Sequence, residues 1–349
     1  MNNLIQTPKR KIALVIGAGA FGTAMAQVLA TNFDKVILKV RSEDVYLAIK
    51  NGENSVYLPG LKIASNIDAA LTWEEVDVHN ENDIELIVSA LPTSGISEYF
   101  KEHYDRFLGY LIKGIPLLSL SKGIDPETLE LSDDLLYDTY PHFKELFCFL
   151  SGPSFAHEIM QGQITLVTVA GRSKKVLENV ITMTNTTYFK ALASYDVKGV
   201  LLGGALKNIL AIAGGVIEGL GYNHNTRAAM ITRGIAEMLR FGAVYNARPE
   251  TFYGLSGMGD LILTTTGDLS RNKTFGLELA RGRKASEIIS SQRNVVEGYK
   301  TAKAAHFISE RYDIRAQIFN GVYDVLYENH PPEDVITKIM GSPSKFELD

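Results

Sequence analysis

A lysine inside a long apolar run is the first residue in this chain whose setting suggests chemistry. Lys207 lies between Val200-Leu201-Leu202-Gly203-Gly204-Ala205-Leu206 and Asn208-Ile209-Leu210-Ala211-Ile212-Ala213-Gly214-Gly215. An ammonium group there must find a counter-charge, lose its proton or snorkel to the surface. Desolvation lowers a lysine pKa, so a buried Lys207 suits general acid/base work near neutral pH. Asp260, in Gly257-Met258-Gly259-Asp260, is a candidate partner for it. Ser270-Arg271-Asn272 comes next, and Ser270 reads as the N-cap of a helix over 273–281. Free N–H groups and a forked guanidinium in that first turn suit a phosphate ester. Taken alone, the tripeptide is equally a routine helix start.

A second anion site is spelled near the N-terminus by Gly17-Ala18-Gly19-Ala20-Phe21-Gly22. It follows an aliphatic run and opens a helix-like one. In that context Gly17 permits a tight turn, Gly19 lets backbone approach a pyrophosphate, and Gly22 lets helix and strand pack closely. Some twenty residues on, where NAD-binding chains usually carry an acidic residue, this one has Arg41-Ser42. An arginine there can pair with the 2′-phosphate of NADP, or be an ordinary strand-end charge. NADP(H) is therefore accepted as a ligand and NAD(H) is not excluded. Lys122, in Ser119-Leu120-Ser121-Lys122-Gly123, falls at the carboxyl end of a predicted strand, the edge where open α/β sheets bind ligands. Ser151-Gly152-Pro153-Ser154-Phe155-Ala156 occupies a similar place.

The elements that must position these residues alternate in the first half of the chain. Aliphatic runs predict strands over 11–16, 36–40, 84–90, 116–121, 147–150 and 164–170, with a last one over 188–193. Most are continuously apolar, as in a parallel sheet covered on both faces. After residue 195 the spacing turns helical, over 197–220, 226–245, 273–281, 299–309 and 318–327. The reading is an α/β fold: an N-terminal Rossmann-like, doubly wound, mostly parallel sheet over 1–195, and a C-terminal all-helical domain over 196–349 that carries Lys207. The tail after Pro331 is polar and reads as peripheral.

Composition narrows the function classes. The 349 residues are 46% apolar and 21% charged, with net charge −5, which argues against a general nucleic-acid binder. One cysteine, Cys148, cannot close an intrachain disulfide, so a reducing cytoplasm is the simplest setting. Residues 12–30 carry no charge and imitate a membrane span, but the phosphate-loop glycines inside them favour a buried strand and helix. The seven histidines show no metal-ligand spacing, and neither a Walker lysine nor a G-x-S-x-G elbow occurs. A metal-free redox enzyme is the economical reading.

Together these motifs resemble the soluble, bacterial-type NAD(P)-dependent glycerol-3-phosphate dehydrogenases. The resemblance also rests on Asn54-Ser55-Val56-Tyr57-Leu58-Pro59-Gly60, Leu206-Lys207-Asn208 and Val295-Val296-Glu297-Gly298, in family order over about residues 11–300. It implies reversible hydride transfer between NAD(P)H and dihydroxyacetone phosphate, giving sn-glycerol 3-phosphate for phospholipid synthesis, in a homodimer. Lys207 matches the family's proton-transfer lysine and Asp260 the aspartate beside it. Lys122, Gly152, Ser154, Asp260, Ser270, Arg271 and Asn272 match its substrate contacts. Gly17, Gly19, Ala20, Phe21, Gly22, Arg41, Tyr57, Lys122, Ala156, Arg271, Val295 and Glu297 match its cofactor contacts. The family commonly has Ser-Trp where this chain has Ala20-Phe21, so a polar contact from position 20 is missing. About ten residues precede the family's usual start. Two other readings share the loop: an NADP-dependent β-hydroxy acid dehydrogenase, and a non-catalytic NADP-binding redox sensor.

Overall fold

The computed structural model describes residues 10–79, 83–291 and 296–342. Eight strands form one sheet in the order β3-β2-β1-β4-β5-β6-β7-β8. They are β1 (Ile12–Ile16), β2 (Lys35–Lys39), β3 (Ile67–Ala70), β4 (Ile84–Ser89), β5 (Leu117–Ser119), β6 (Phe147–Ser151), β7 (Thr165–Gly171) and β8 (Phe189–Ser194). Every pairing is parallel except β6 with β7. The order reverses beside β1, so the crevice between the carboxyl ends of β1 and β4 is the switch point where such sheets take ligands.

The uninterrupted apolarity of β1 is explained by two cores. Ile12, Leu14 and Ile16 face one hydrophobic cluster, whereas Ala13 and Val15 face the other. Strand β3 escapes the sequence pattern because it is a four-residue edge strand with Asp68 in its middle. It forms because Ile67 and Ala69 reach the core. Its outward Asp68 meanwhile pairs with Lys35 at 3.0 Å and Lys50 at 2.5 Å. The seven predicted strands are all present, with ends shifted by a residue or two.

The helical half is organised around Val197–Gly219, buried over nearly its whole length. By length and hydropathy it would cross a membrane, yet its apolar stretch lies wholly inside the fold. Its glycines are packing notches. A Cβ on Gly215 would strike the Lys273 carbonyl, and one on Gly276 would strike the Ile212 carbonyl. The helices Val197–Gly219 and Arg271–Ala280 therefore approach nearly backbone to backbone. Around them lie His224–Val244, Asp260–Thr266, Glu297–Arg311 and Gln317–Tyr327. The polar tail adds a further helix, Pro332–Met340, which buries Val335 against Gly321.

Candidate active site

The helix Val197–Gly219 runs from the sheet toward the centre of the helical half, which places Lys207 where its ammonium cannot snorkel out. The residue is 7% exposed, and Asp260 is 1% exposed. Asp260 opens the helix Asp260–Thr266, directly after a π-helical turn over Leu255–Gly259. The turn fits under the lysine helix because Gly203 is bare there: a Cβ would lie 2.7 Å from the Ser256 carbonyl oxygen. Asp260 Oδ1 sits 2.7 Å from Lys207 Nζ. One helical turn on, Thr264 Oγ1 accepts from Lys207 Nζ at 2.6 Å and itself donates to the Asp260 carbonyl oxygen at 2.6 Å. Two of the three ammonium donors are thereby fixed, and one is left over.

The other carboxylate oxygen of Asp260 holds Lys122, at 3.0 Å from Nζ. Lys122 also donates to the Gly152 carbonyl at 3.0 Å and to Ser154 Oγ at 3.4 Å. Lys122 thus comes from the loop after β5, Gly152 and Ser154 from the loop after β6, and Asp260 from the helical half. All three ammonium donors of Lys122 are engaged, the bond to Ser154 being the longest. Its charge also lies 5.5 Å from the centre of the Phe21 ring, which brings the start of the first helix into the same crevice.

Electrostatics separates the two charged groups of the central pair. Burial pulls the Lys207 pKa down to about 8, against the pull of Asp260 and helped by the positive charges of Lys122 and Arg271. Burial alone would raise Asp260, but Lys122 and then Lys207 hold it below the usual carboxylate range. The pair is therefore a permanent anion beside an amine that can exchange a proton near neutral pH.

The Ser270 motif folds as its sequence predicts, with Ser270 Oγ accepting from the Lys273 N–H at 3.2 Å. Arg271 follows in the first turn, with the Glu297 carboxylate and the Tyr57 phenol group as electrostatic neighbours. Asn272 is more committed than the sequence suggests. Its Nδ2 donates to Asn208 Oδ1 at 2.9 Å, and its Oδ1 accepts from the Gly298 N–H at 3.1 Å. That amide ties three helices together and keeps one N–H in reserve. Glu297 reaches back across to the Lys122 loop, where a Cβ on Gly123 would lie 2.8 Å from its Oε2. Burial pushes the Glu297 carboxyl up to about 7, with Lys300 and Arg271 opposing.

The glycine turn fits a dinucleotide on geometric grounds. Gly17 has φ +97°, open to glycine, and a Cβ on Gly22 would collide with the Gly17 carbonyl. Nothing lies within 4 Å of a Cβ built on Gly19, so that residue fronts open space. Ala20 opens the helix Ala20–Leu29 with no polar side chain to offer. Arg41 stands exposed just past β2, with no ion pair among the described residues. Tyr57 is half-buried on the loop after Asn54, and Ala156 begins the short helix Ala156–Met160 beyond β6. Val295 falls outside the described residues. Among those described, no group of three or more His, Cys, Asp or Glu side chains is arranged to hold a metal ion. The residue that sequence reasoning missed is Thr264; its signal was the spacing of four from Asp260 on one helix face.

Comparison with known proteins covers nearly the whole chain. The family model for the NAD-dependent glycerol-3-phosphate dehydrogenase N-terminus covers residues 11–177, and that for the C-terminus covers 196–337. The chain belongs to the NAD-dependent glycerol-3-phosphate dehydrogenase family. It is 40% identical over 338 residues to glycerol-3-phosphate dehydrogenase [NAD(P)+] of Solidesulfovibrio magneticus, covering 97% of this chain and all of that one. The same enzyme of Myxococcus xanthus is 41% identical over 336 residues, 96% of this chain and 98% of that one. Among solved structures, the glycerol-3-phosphate dehydrogenase of Coxiella burnetii superposes with a TM-score of 0.86 at 28% identity, over 96% of this chain and 100% of that one.

Proposed function

We propose that this family member catalyses the reversible, NAD(P)H-dependent reduction of dihydroxyacetone phosphate to sn-glycerol 3-phosphate. The observation that carries the reading is the buried Lys207–Asp260–Thr264 cluster, with one ammonium donor to spare and the Arg271 charge near enough to act on the lysine. The relatives' activity as glycerol-3-phosphate dehydrogenases supports the same reaction. When bound, the nicotinamide supplies the hydride. Lys207 donates a proton to the ketone oxygen in reduction and takes one from the hydroxyl in oxidation. Asp260 balances the lysine charge and, with Thr264, fixes the direction in which the remaining N–H points. Ser270 fixes the helix start; Arg271, the spare Asn272 N–H and the first-turn N–H groups hold the phosphate. Binding energy from that remote anion then aligns the carbonyl. Lys122, Gly152 and Ser154 line the substrate side. Gly17, Gly19, Gly22, Phe21, Arg41, Tyr57, Ala156 and Glu297 line the cofactor side.

The direct test is oxidation of NADPH and of NADH in the presence of dihydroxyacetone phosphate. Turnover is expected with the phosphorylated ketone. Turnover only with β-keto acids would replace the reading with a β-hydroxy acid dehydrogenase, and cofactor binding without any turnover would replace it with a sensor. If Arg41 holds a 2′-phosphate, Arg41→Ala should raise the KM for NADPH about tenfold and leave that for NADH unchanged. Arg271→Ala should raise the KM for dihydroxyacetone phosphate by about one to two orders of magnitude, the loss expected of a charged hydrogen-bond partner. A KM unchanged in that variant would remove Arg271 from the phosphate site.

The same reading divides the chain near residue 195, between β8 and the helix Val197–Gly219, into a cofactor half and a substrate half. It places the enzyme in the cytoplasm as a homodimer supplying glycerophospholipid synthesis. Sedimentation of the purified chain would test the dimer.

A further inference from the structure

The residue that ties the glycine turn to the rest of the cofactor half is Asn54, which is fully buried. Its Nδ2 donates to the Ala18 carbonyl at 2.9 Å and to Thr23 Oγ1 at 2.8 Å. Thr23 Oγ1 donates in turn to the same carbonyl at 3.4 Å. The triangle joins the middle of the turn, the first turn of the helix Ala20–Leu29 and a loop more than thirty positions away. The amide orientation is dictated by the Ala18 carbonyl, which accepts and cannot donate. In consequence Asn54 Oδ1 is left buried with no partner among the described residues, which costs stability.

The peptide plane turns this anchor into a ligand-facing device. A trans peptide points its C=O and its N–H in opposite directions. With the Ala18 carbonyl drawn inward by Asn54 and Thr23, the Gly19 N–H of the same peptide is turned outward. That N–H lies at the positive end of the helix, on a residue whose built Cβ would meet nothing within 4 Å. The backbone of Asn54 also turns the chain that carries Tyr57, its carbonyl accepting from the Tyr57 N–H at 3.2 Å and the Leu58 N–H at 2.8 Å.

We propose that Asn54, assisted by Thr23, is a positioning residue for the cofactor: it holds the Ala18–Gly19 peptide in the orientation that aims the Gly19 N–H at the pyrophosphate. This rests on the dinucleotide reading of the glycine turn. Preorganisation of that donor removes a reorientation that binding would otherwise have to drive.

The test compares Asn54→Ala and Thr23→Val in the full chain with the parent. Both substitutions keep the Asn54 backbone carbonyl, and hence the turn that carries Tyr57. By titration calorimetry, Asn54→Ala should weaken NADPH or NADH binding about tenfold, and Thr23→Val about threefold. ADP-ribose, which has the pyrophosphate and no nicotinamide, should follow the same loss. Adenosine 2′-phosphate, which has no pyrophosphate, should bind all three proteins alike. At saturating cofactor, kcat should stay within about twofold and the KM for dihydroxyacetone phosphate should not move. Thermal melting reports any general loosening separately. Unchanged cofactor affinity in a folded Asn54→Ala overturns the proposal, as does a loss shared equally by adenosine 2′-phosphate. Where that variant does not fold, unchanged affinity in Thr23→Val overturns it. If the parent itself binds neither nicotinamide cofactor nor ADP-ribose, the dinucleotide reading falls first and the proposal with it.

Discussion

Lys207→Ala should lower kcat by about 10²–10⁴-fold, the span general acid/base catalysis supplies, while cofactor affinity stays close to that of the parent. Among the described residues the lysine's bonds go to Asp260 and Thr264 and none to the glycine turn, so its removal should leave the dinucleotide crevice intact. Single-turnover reduction of dihydroxyacetone phosphate, paired with direct titration of NADPH, separates the two effects. The pH profile of the parent gives an independent check. With the Lys207 pKa near 8, the ammonium needed for reduction is present below that value and is lost above it. Reduction should therefore fall as pH rises through about 8, and oxidation of glycerol 3-phosphate, which needs the neutral amine, should rise over the same range. Both limbs should be absent from the residual activity of Lys207→Ala. Survival of full turnover, or of the limb, would take the proton-transfer role away from Lys207.

The sequence showed Lys207 for a reason that is local: a charge among apolar residues and glycines is anomalous within a single helix. Gly17, Gly19 and Gly22 were legible on the same footing, since their spacing within one strand and helix carries the reason for each. Asp260 was visible as a candidate, but its bond to Lys122 joins residues 138 positions apart, and no local pattern encodes that. Thr264 shows how little separates a structural residue from one in the site. It looks like any helix threonine until the lysine helix is packed above it. Asn272 marks the opposite case, where a residue read as facing a ligand spends most of its hydrogen-bonding capacity holding helices together. Strand β3 was hidden because its apolar content is small and its place depends on pairing with β2. The helix Pro332–Met340 was hidden because its exposed polar face outweighs the single valine it buries.

Asp260→Asn tests whether the pair acts as a unit. The substitution keeps shape and one acceptor, yet removes the carboxylate that, among the described residues, pairs with both Lys207 and Lys122. Without it, burial and the Lys122 and Arg271 charges act on Lys207 unopposed, so its pKa should fall further below 8. The falling limb for reduction should then move to lower pH, and at neutral pH most of the lysine would be the wrong form for proton donation. The amide can also offer its N–H to Lys207 in place of an acceptor, which misdirects the amine; misplacement of a reacting group by about 1 Å costs on the order of 10²-fold. The expected result is a kcat for reduction lower by about two orders of magnitude at pH 7.5, partly recovered at lower pH where Lys207 regains its proton. Stability should fall too, though by less than the about 3–5 kcal/mol typical of breaking a buried pair, because Lys207 can shed its charge. A structural role alone would lower the melting temperature and leave the limb in place. The displaced limb, measured by kcat against pH in a folded variant, is therefore the result that decides whether Asp260 acts on the proton or only on the packing.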